Sequence, residues 1–106
     1  MTTSAPVKQA LPVLKPAADA VVRSPPLYKV IMLNDDYTPM DFVIQVLQSF
    51  FSLAHTRAVQ VMLEVHTKGK AVAGVYAAEI AESRALQVNN YSRKNQHPLL
   101  CVLERA

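Results

Sequence analysis

Apolar side chains run almost without interruption through Tyr28-Lys29-Val30-Ile31-Met32-Leu33, with Pro25-Pro26 before them and Asn34-Asp35-Asp36 after. A short apolar run between such breakers predicts a strand. The period then changes. Phe42, Val43, Val46, Leu47, Phe50 and Phe51 recur at three- and four-residue spacing, which puts them on one broad buried helix face. The helix is expected to start at Thr38-Pro39-Met40-Asp41, with threonine as the cap, proline in the first helical position and an acid close behind. A second helix is predicted from about His55 to Lys68, with Val59, Met62, Leu63, Val65 and His66 facing inward or close to it. Gly69 follows as a stop, and Lys68 places a cation in the last turn.

From Lys70 to Tyr76 the chain alternates and is rich in valine and alanine, which predicts a second strand. Residues Ala77 to about Asn95 predict a third helix, with Ile80, Ala81, Ala85, Val88 and Tyr91 near one face. Pro98 to Leu103 predicts a short closing strand. The order β-α-α-β-α-β implies the α+β class: one small domain with three helices packed on one face of a three-stranded sheet. Both helical connections are long enough for parallel or crossed pairing, so the pattern leaves strand order open.

Residues 1–26 follow a different rule. They hold five of the seven prolines and no aromatic residue. Each proline removes a backbone donor and disfavours helix in the residue before it. This stretch is expected to be a flexible tail with at most a short helical turn near Ala17–Val22, and the folded core is expected over 27–106. A chain of 106 residues has room for one domain.

Composition narrows the function. Half the residues are apolar and 18% are charged, well away from disordered compositions. The net charge is +3, but the eleven basic residues are scattered, three of them within the first 25 positions, so no nucleic-acid stripe forms. One cysteine, Cys101, allows no internal disulfide, no apolar run nears the ~20 residues of a membrane span, and the start is not signal-like. A cytoplasmic location is expected. With only Gly69 and Gly74, there is no phosphate-cradling loop. No cysteine or histidine cluster has zinc spacing, and no nucleophile stands in a triad-like context. Neither catalysis, a cofactor nor a metal is expected.

Three groups of residues carry what chemistry there is. Asn34-Asp35-Asp36 lies between a strand and a helix, where a plain polar turn is the ordinary explanation. Two carboxylates beside an amide also suit a cation, either a metal or an ammonium with its three donors. His66 reads as a rim residue, or as an imidazole acceptor for that ammonium. Met40, Val43, Met62 and Val65 read as core, or as an adaptable apolar pocket with methionine at its edge. His55 and His97 read as structural or solvated, and Cys101, between Leu100 and Val102, as a buried and inert thiol.

From Lys29 to Val43, through Asn34-Asp35-Asp36-Tyr37-Thr38-Pro39-Met40, the chain resembles the ClpS family. The likeness continues at Met62-Leu63-Glu64-Val65-His66, Gly69-Lys70, Gly74-Val75-Tyr76 and His97-Pro98-Leu99-Leu100-Cys101, with Gln96 at a position often acidic in the family. The resemblance implies a monomeric adaptor that binds N-degron proteins, those starting with Leu, Phe, Tyr or Trp. It implies that Asn34, Asp35 and His66 hold the substrate's α-amino group. It implies that Asp36, Thr38, Met40, Val43, Met62, Val65 and Leu99 line the side-chain pocket, with Met40 as a gate against β-branched residues. It further implies that Glu79 and Arg84 dock on the N-terminal domain of the ClpA unfoldase of the ClpAP protease; the second position is more often lysine. The tail would assist delivery.

Two other classes fit the residues less well. A metal-dependent or phosphoryl-accepting domain would use Asp35 and Asp36, but it would need more strands and a further acid at a later strand end. A small basic nucleic-acid or ribosome-associated domain would show strongly salt-dependent RNA binding.

Overall fold

The computed structural model describes residues 25–106. The tail expected over 1–26 thus lies outside the described residues, apart from Pro25 and Pro26, and so does the turn near Ala17–Val22. The chain enters at strand β1 (Leu27–Leu33), crosses helices α1 (Met40–Phe51) and α2 (His55–Lys68), and returns as strand β2 (Lys70–Ala77). Helix α3 (Ala78–Lys94) then leads to strand β3 (Leu100–Arg105). This is the α+β order the sequence predicts.

The strand order left open by the pattern is β2-β1-β3, with both edge strands antiparallel to β1. The directions, though not the order, follow from parity. Two helices between β1 and β2 each reverse the chain, so β2 comes back against β1. The single helix α3 reverses it once more, so β3 runs in the direction of β2 on the other side of β1. The two ladders meet on β1, where Met32 is opposite Ala71 and Cys101, and Ile31 opposite Val72 and Val102. The register shifts between Val30 and Ile31 and leaves Ala73 as an extra residue in β2, a bulge that bends this edge. On the other edge, the Asn89 side chain imitates a fourth strand: its amide donates to the Cys101 carbonyl at 3.1 Å and accepts from the Cys101 N–H at 2.8 Å.

The helices cover one face of the sheet. Val30 and Met32 of β1, Val46 and Leu47 of α1, Ala58 and Val61 of α2, and Ala81 and Val88 of α3 meet in one core and are essentially sealed from water. Each large apolar side chain buried this way contributes about 1.5–3 kcal/mol. Ile31 is buried on the opposite face, between the half-open Val72 and Val102. Among the described residues no helix is long and apolar enough to cross a membrane.

Several details depart from the sequence expectations. Pro39, in an extended conformation, is the N-cap of α1, and no side chain caps the helix; Thr38 bonds elsewhere. The inward stripe of α2 is Ala58, Val61, Met62 and Val65, which leaves Leu63 half-exposed and His66 exposed. The stripe of α3 is Ala81, Ala85, Val88 and Ser92, so Ile80, one position off it, points out. β3 starts at Leu100, not at Pro98, because Pro98 has no N–H to give and Leu99 is already turned into the core. Gly69 does end α2: its φ of +89° is one that glycine takes without strain, and its N–H donates to the Val65 carbonyl at 2.9 Å.

Candidate functional site

The turn after β1 is built around Asp35. One carboxylate oxygen, Oδ1, accepts from the Tyr37 N–H at 2.8 Å and the Thr38 N–H at 2.7 Å; the other, Oδ2, accepts from the Thr38 hydroxyl at 2.8 Å. This is why Thr38 does not cap α1. Partial burial pushes the Asp35 carboxyl upward, but these three hydrogen bonds and the nearby His97 charge outweigh it and hold the group below its ordinary 3.8. Asp35 is therefore a fixed negative charge at neutral pH. A carboxylate has about four acceptor positions. Three serve the turn, and Oδ2 retains one for an outside donor.

The turn is tied to the end of α2, where the Asn34 N–H donates to the Gly69 carbonyl at 2.9 Å. His66 stands exposed on the last turn of α2, three residues before Gly69. The side chains of Asn34 and Asp36 are exposed on the turn itself. Val43 from α1, Met62 and Val65 from α2, and Leu99 from the lead into β3 are all buried in one apolar cluster, the floor of the candidate site. Met40, the first residue of α1, is 46% exposed and lies one helical turn before Val43. The turn offers acceptors that favour a cation, and the Gly69 bond ties it to the helix that supplies Met62 and Val65. That combination suits a ligand carrying an ammonium and an apolar side chain on adjacent atoms. Among the described residues no three His, Cys, Asp or Glu side chains gather to hold a metal.

Glu79 and Arg84 lie elsewhere, on α3. Glu79 is exposed in the first turn; Arg84 is half-buried, with its guanidinium carbon 5.8 Å from the centre of the Tyr76 ring. The Arg84 Nε is sealed from solvent without a hydrogen-bond partner. Tyr76 is itself folded over Gly74, where an added Cβ would come within 2.5 Å of its hydroxyl oxygen. Arg84 is thus held by packing, and five positions separate it from Glu79, about 140° around a helix. A separate open depression of about 380 Å³, lined by Asp41, Ile44, Gln45, Gln48, Ser49 and His55, lies along the outer side of α1 and includes none of the expected site residues.

His97, expected to be structural or solvated, stands against the site. Its ring is 4.4 Å from that of Phe42, and its charge acts on Asp35. No sequence spacing marks it; the only signal was its place two residues before Leu99.

Residues 23–102 match the family model described as ATP-dependent Clp protease adaptor protein ClpS, and the chain belongs to the ClpS family. It is 64% identical over 85 residues to the ATP-dependent Clp protease adapter protein ClpS of Sodalis glossinidius, covering 80% of each chain. To its Xanthomonas oryzae counterpart it is 58% identical over 90 residues, 85% of each. Among solved structures it is similar to Agrobacterium tumefaciens ClpS2 bound to L-phenylalaninamide, with a TM-score of 0.76 and 37% identity, covering 78% of this chain and all of that one.

Proposed function

We propose that this protein is an adaptor that captures proteins starting with Leu, Phe, Tyr or Trp and delivers them to the ClpA unfoldase of the ClpAP protease. The observation that carries this reading is the Asp35 turn, a fixed carboxylate with one acceptor position left, set beside an apolar floor. The ligand of the Agrobacterium relative, an amino-acid amide, has an α-amino group next to an aromatic side chain. That pairing matches the two halves of the site.

In this reading Asn34, Asp35 and His66 accept the three donors of the α-ammonium. Asp36, Thr38, Met40, Val43, Met62, Val65 and Leu99 surround the first side chain. Met40 excludes residues branched at Cβ by steric conflict, which discriminates by repelling the wrong ligand. No bond is made or broken: the adaptor binds and hands over. Glu79 and Arg84 meet the N-terminal domain of ClpA, the tail over 1–26 assists hand-over, and the protein works as a cytoplasmic monomer. Loss of the tail should spare degron binding and impair degradation.

Fluorescence anisotropy with a labelled peptide starting with Leu, beside its N-acetylated twin and one starting with Val, tests the reading. Binding of the first alone is expected. Equal binding of all three, or of none, would reduce Asn34, Asp35 and His66 to turn and rim residues.

A further inference from the structure

The end of α3 is closed with unusual care for a segment without an assigned role. The Ser92 hydroxyl, in a side chain fully removed from water, donates to the His97 carbonyl at 2.9 Å, and the His97 N–H returns to the Ser92 carbonyl at 2.9 Å. Between them Asn95 donates through both its N–H and its side-chain amide to the Tyr91 carbonyl, and Gln96 takes a φ of +64° to reverse the chain. The positive φ in a residue other than glycine costs energy, so the reversal is imposed by these bonds.

What the reversal delivers is the His97 ring. It lies tilted against Phe42, whose other neighbour, Tyr91, is stacked at 5.5 Å and 8°. Phe42 is on the first turn of α1, between Met40 and Val43. Leu99 follows His97 by two residues and is buried at the floor. Asp35, in the turn, feels the His97 charge. The segment that ends α3 therefore meets the first turn of α1 through the His97 ring and, two residues on, supplies Leu99 to the core.

We propose that His97 is a positioning residue of the N-degron site: seated on Phe42 by the closed end of α3, it holds the first turn of α1 and Leu99 in register. The inference rests on the function proposed above. The Phe42 ring of α1 lies between the His97 ring and the Tyr91 ring of α3, so removing the imidazole leaves one side of Phe42 unsupported.

The test is anisotropy with the Leu-starting peptide and its acetylated twin on the full chain as wild type, H97A and H97F, well below each melting temperature. H97F keeps an aromatic ring on Phe42 and removes the charge. At pH 7.5, H97A is expected to bind roughly two- to tenfold more weakly, the size of an aromatic pair, while H97F stays within about twofold of wild type. Rescue by H97F, which restores the ring but not the imidazole, is the outcome that a positioning role on Phe42 requires. Wild-type protein that binds the free peptide selectively, with H97A equally tight or H97F no tighter than H97A, overturns the inference alone. Wild-type protein that does not distinguish the free from the acetylated peptide overturns the site reading and this inference with it.

Discussion

Replacing Asp35 separates its work in the turn from its work on a ligand. Alanine at this position deletes the acceptor for the Tyr37 N–H, the Thr38 N–H and the Thr38 hydroxyl together. Such bonds contribute about 0.5–1.5 kcal/mol each, more when one partner is charged, but water can reach much of this turn and replace part of the loss. A destabilisation of about 1–2 kcal/mol is expected. For a folded region of this size that lowers the melting temperature by roughly 5–15 °C. Asparagine is the sharper variant. Its side-chain oxygen can still accept from both N–H groups, and the Thr38 hydroxyl can turn to accept from the new amide. D35N is therefore expected to melt within a few degrees of wild type. It lacks the charge that meets an ammonium, and a hydrogen bond to a charged group contributes about 1.5–3 kcal/mol, so the Leu-starting peptide should bind roughly ten- to a hundredfold more weakly. Thermal denaturation followed by circular dichroism and peptide anisotropy measure the two effects on the same samples. D35A melting with wild type would refute the turn argument, and D35N binding with wild-type affinity would refute the ligand argument.

Other expectations follow from the same geometry. M40A should open the rim and admit peptides starting with Ile or Val, seen as binding where wild type shows none; unchanged rejection removes Met40 from the selectivity. Because the Asp35 carboxyl is held below 3.8, its stabilising contribution is complete above that value and is lost as pH falls through the lower folded one. The melting difference between wild type and D35N should be steady at neutral pH and shrink below about pH 4. Burial pushes the Cys101 thiol up to about 12, so the folded protein should not react with a thiol reagent at pH 8, and reaction should appear on unfolding. The same shift has the opposite sign for stability: the contribution of the neutral thiol is present below its ordinary 9.0 and is lost as pH climbs from there toward 12.

The elements were legible wherever one period dominated. Leu33, Phe51, Lys68 and Gly69 end their elements close to where the pattern placed them, because breakers and caps are local signals. Strand order was not legible, since pairing partners are chosen by helix packing, which no spacing encodes. Leu63 and Ile80 were misplaced for a related reason: a single apolar residue beside a stripe is indistinguishable from a member until the neighbouring helix is known. At the site, Asn34, Asp35 and the apolar floor could be named from residue types and family resemblance. The double use of Asp35, as hub of the turn and as charge, could not, because Thr38 looks in sequence like an ordinary helix cap. His97 was passed over because its ring packs on Phe42, more than fifty positions away.

The central position of β1 has a consequence for how the chain comes to be folded. Of the described strands, the first made is the one both others need: Leu33 pairs with Lys70, Tyr28 pairs with Arg105, and the Ala106 N–H donates to the Leu27 carbonyl at 2.9 Å. During synthesis α1 and α2 can form and meet as soon as they emerge, but β1, with an apolar core of Val30, Ile31 and Met32, lacks β3 until residues 100–105 have been made. Strand pairing over such separations is slow, and an unpaired apolar strand is prone to wrong partners in the meantime. Nascent chains halted before β3 should therefore depend on a chaperone for solubility.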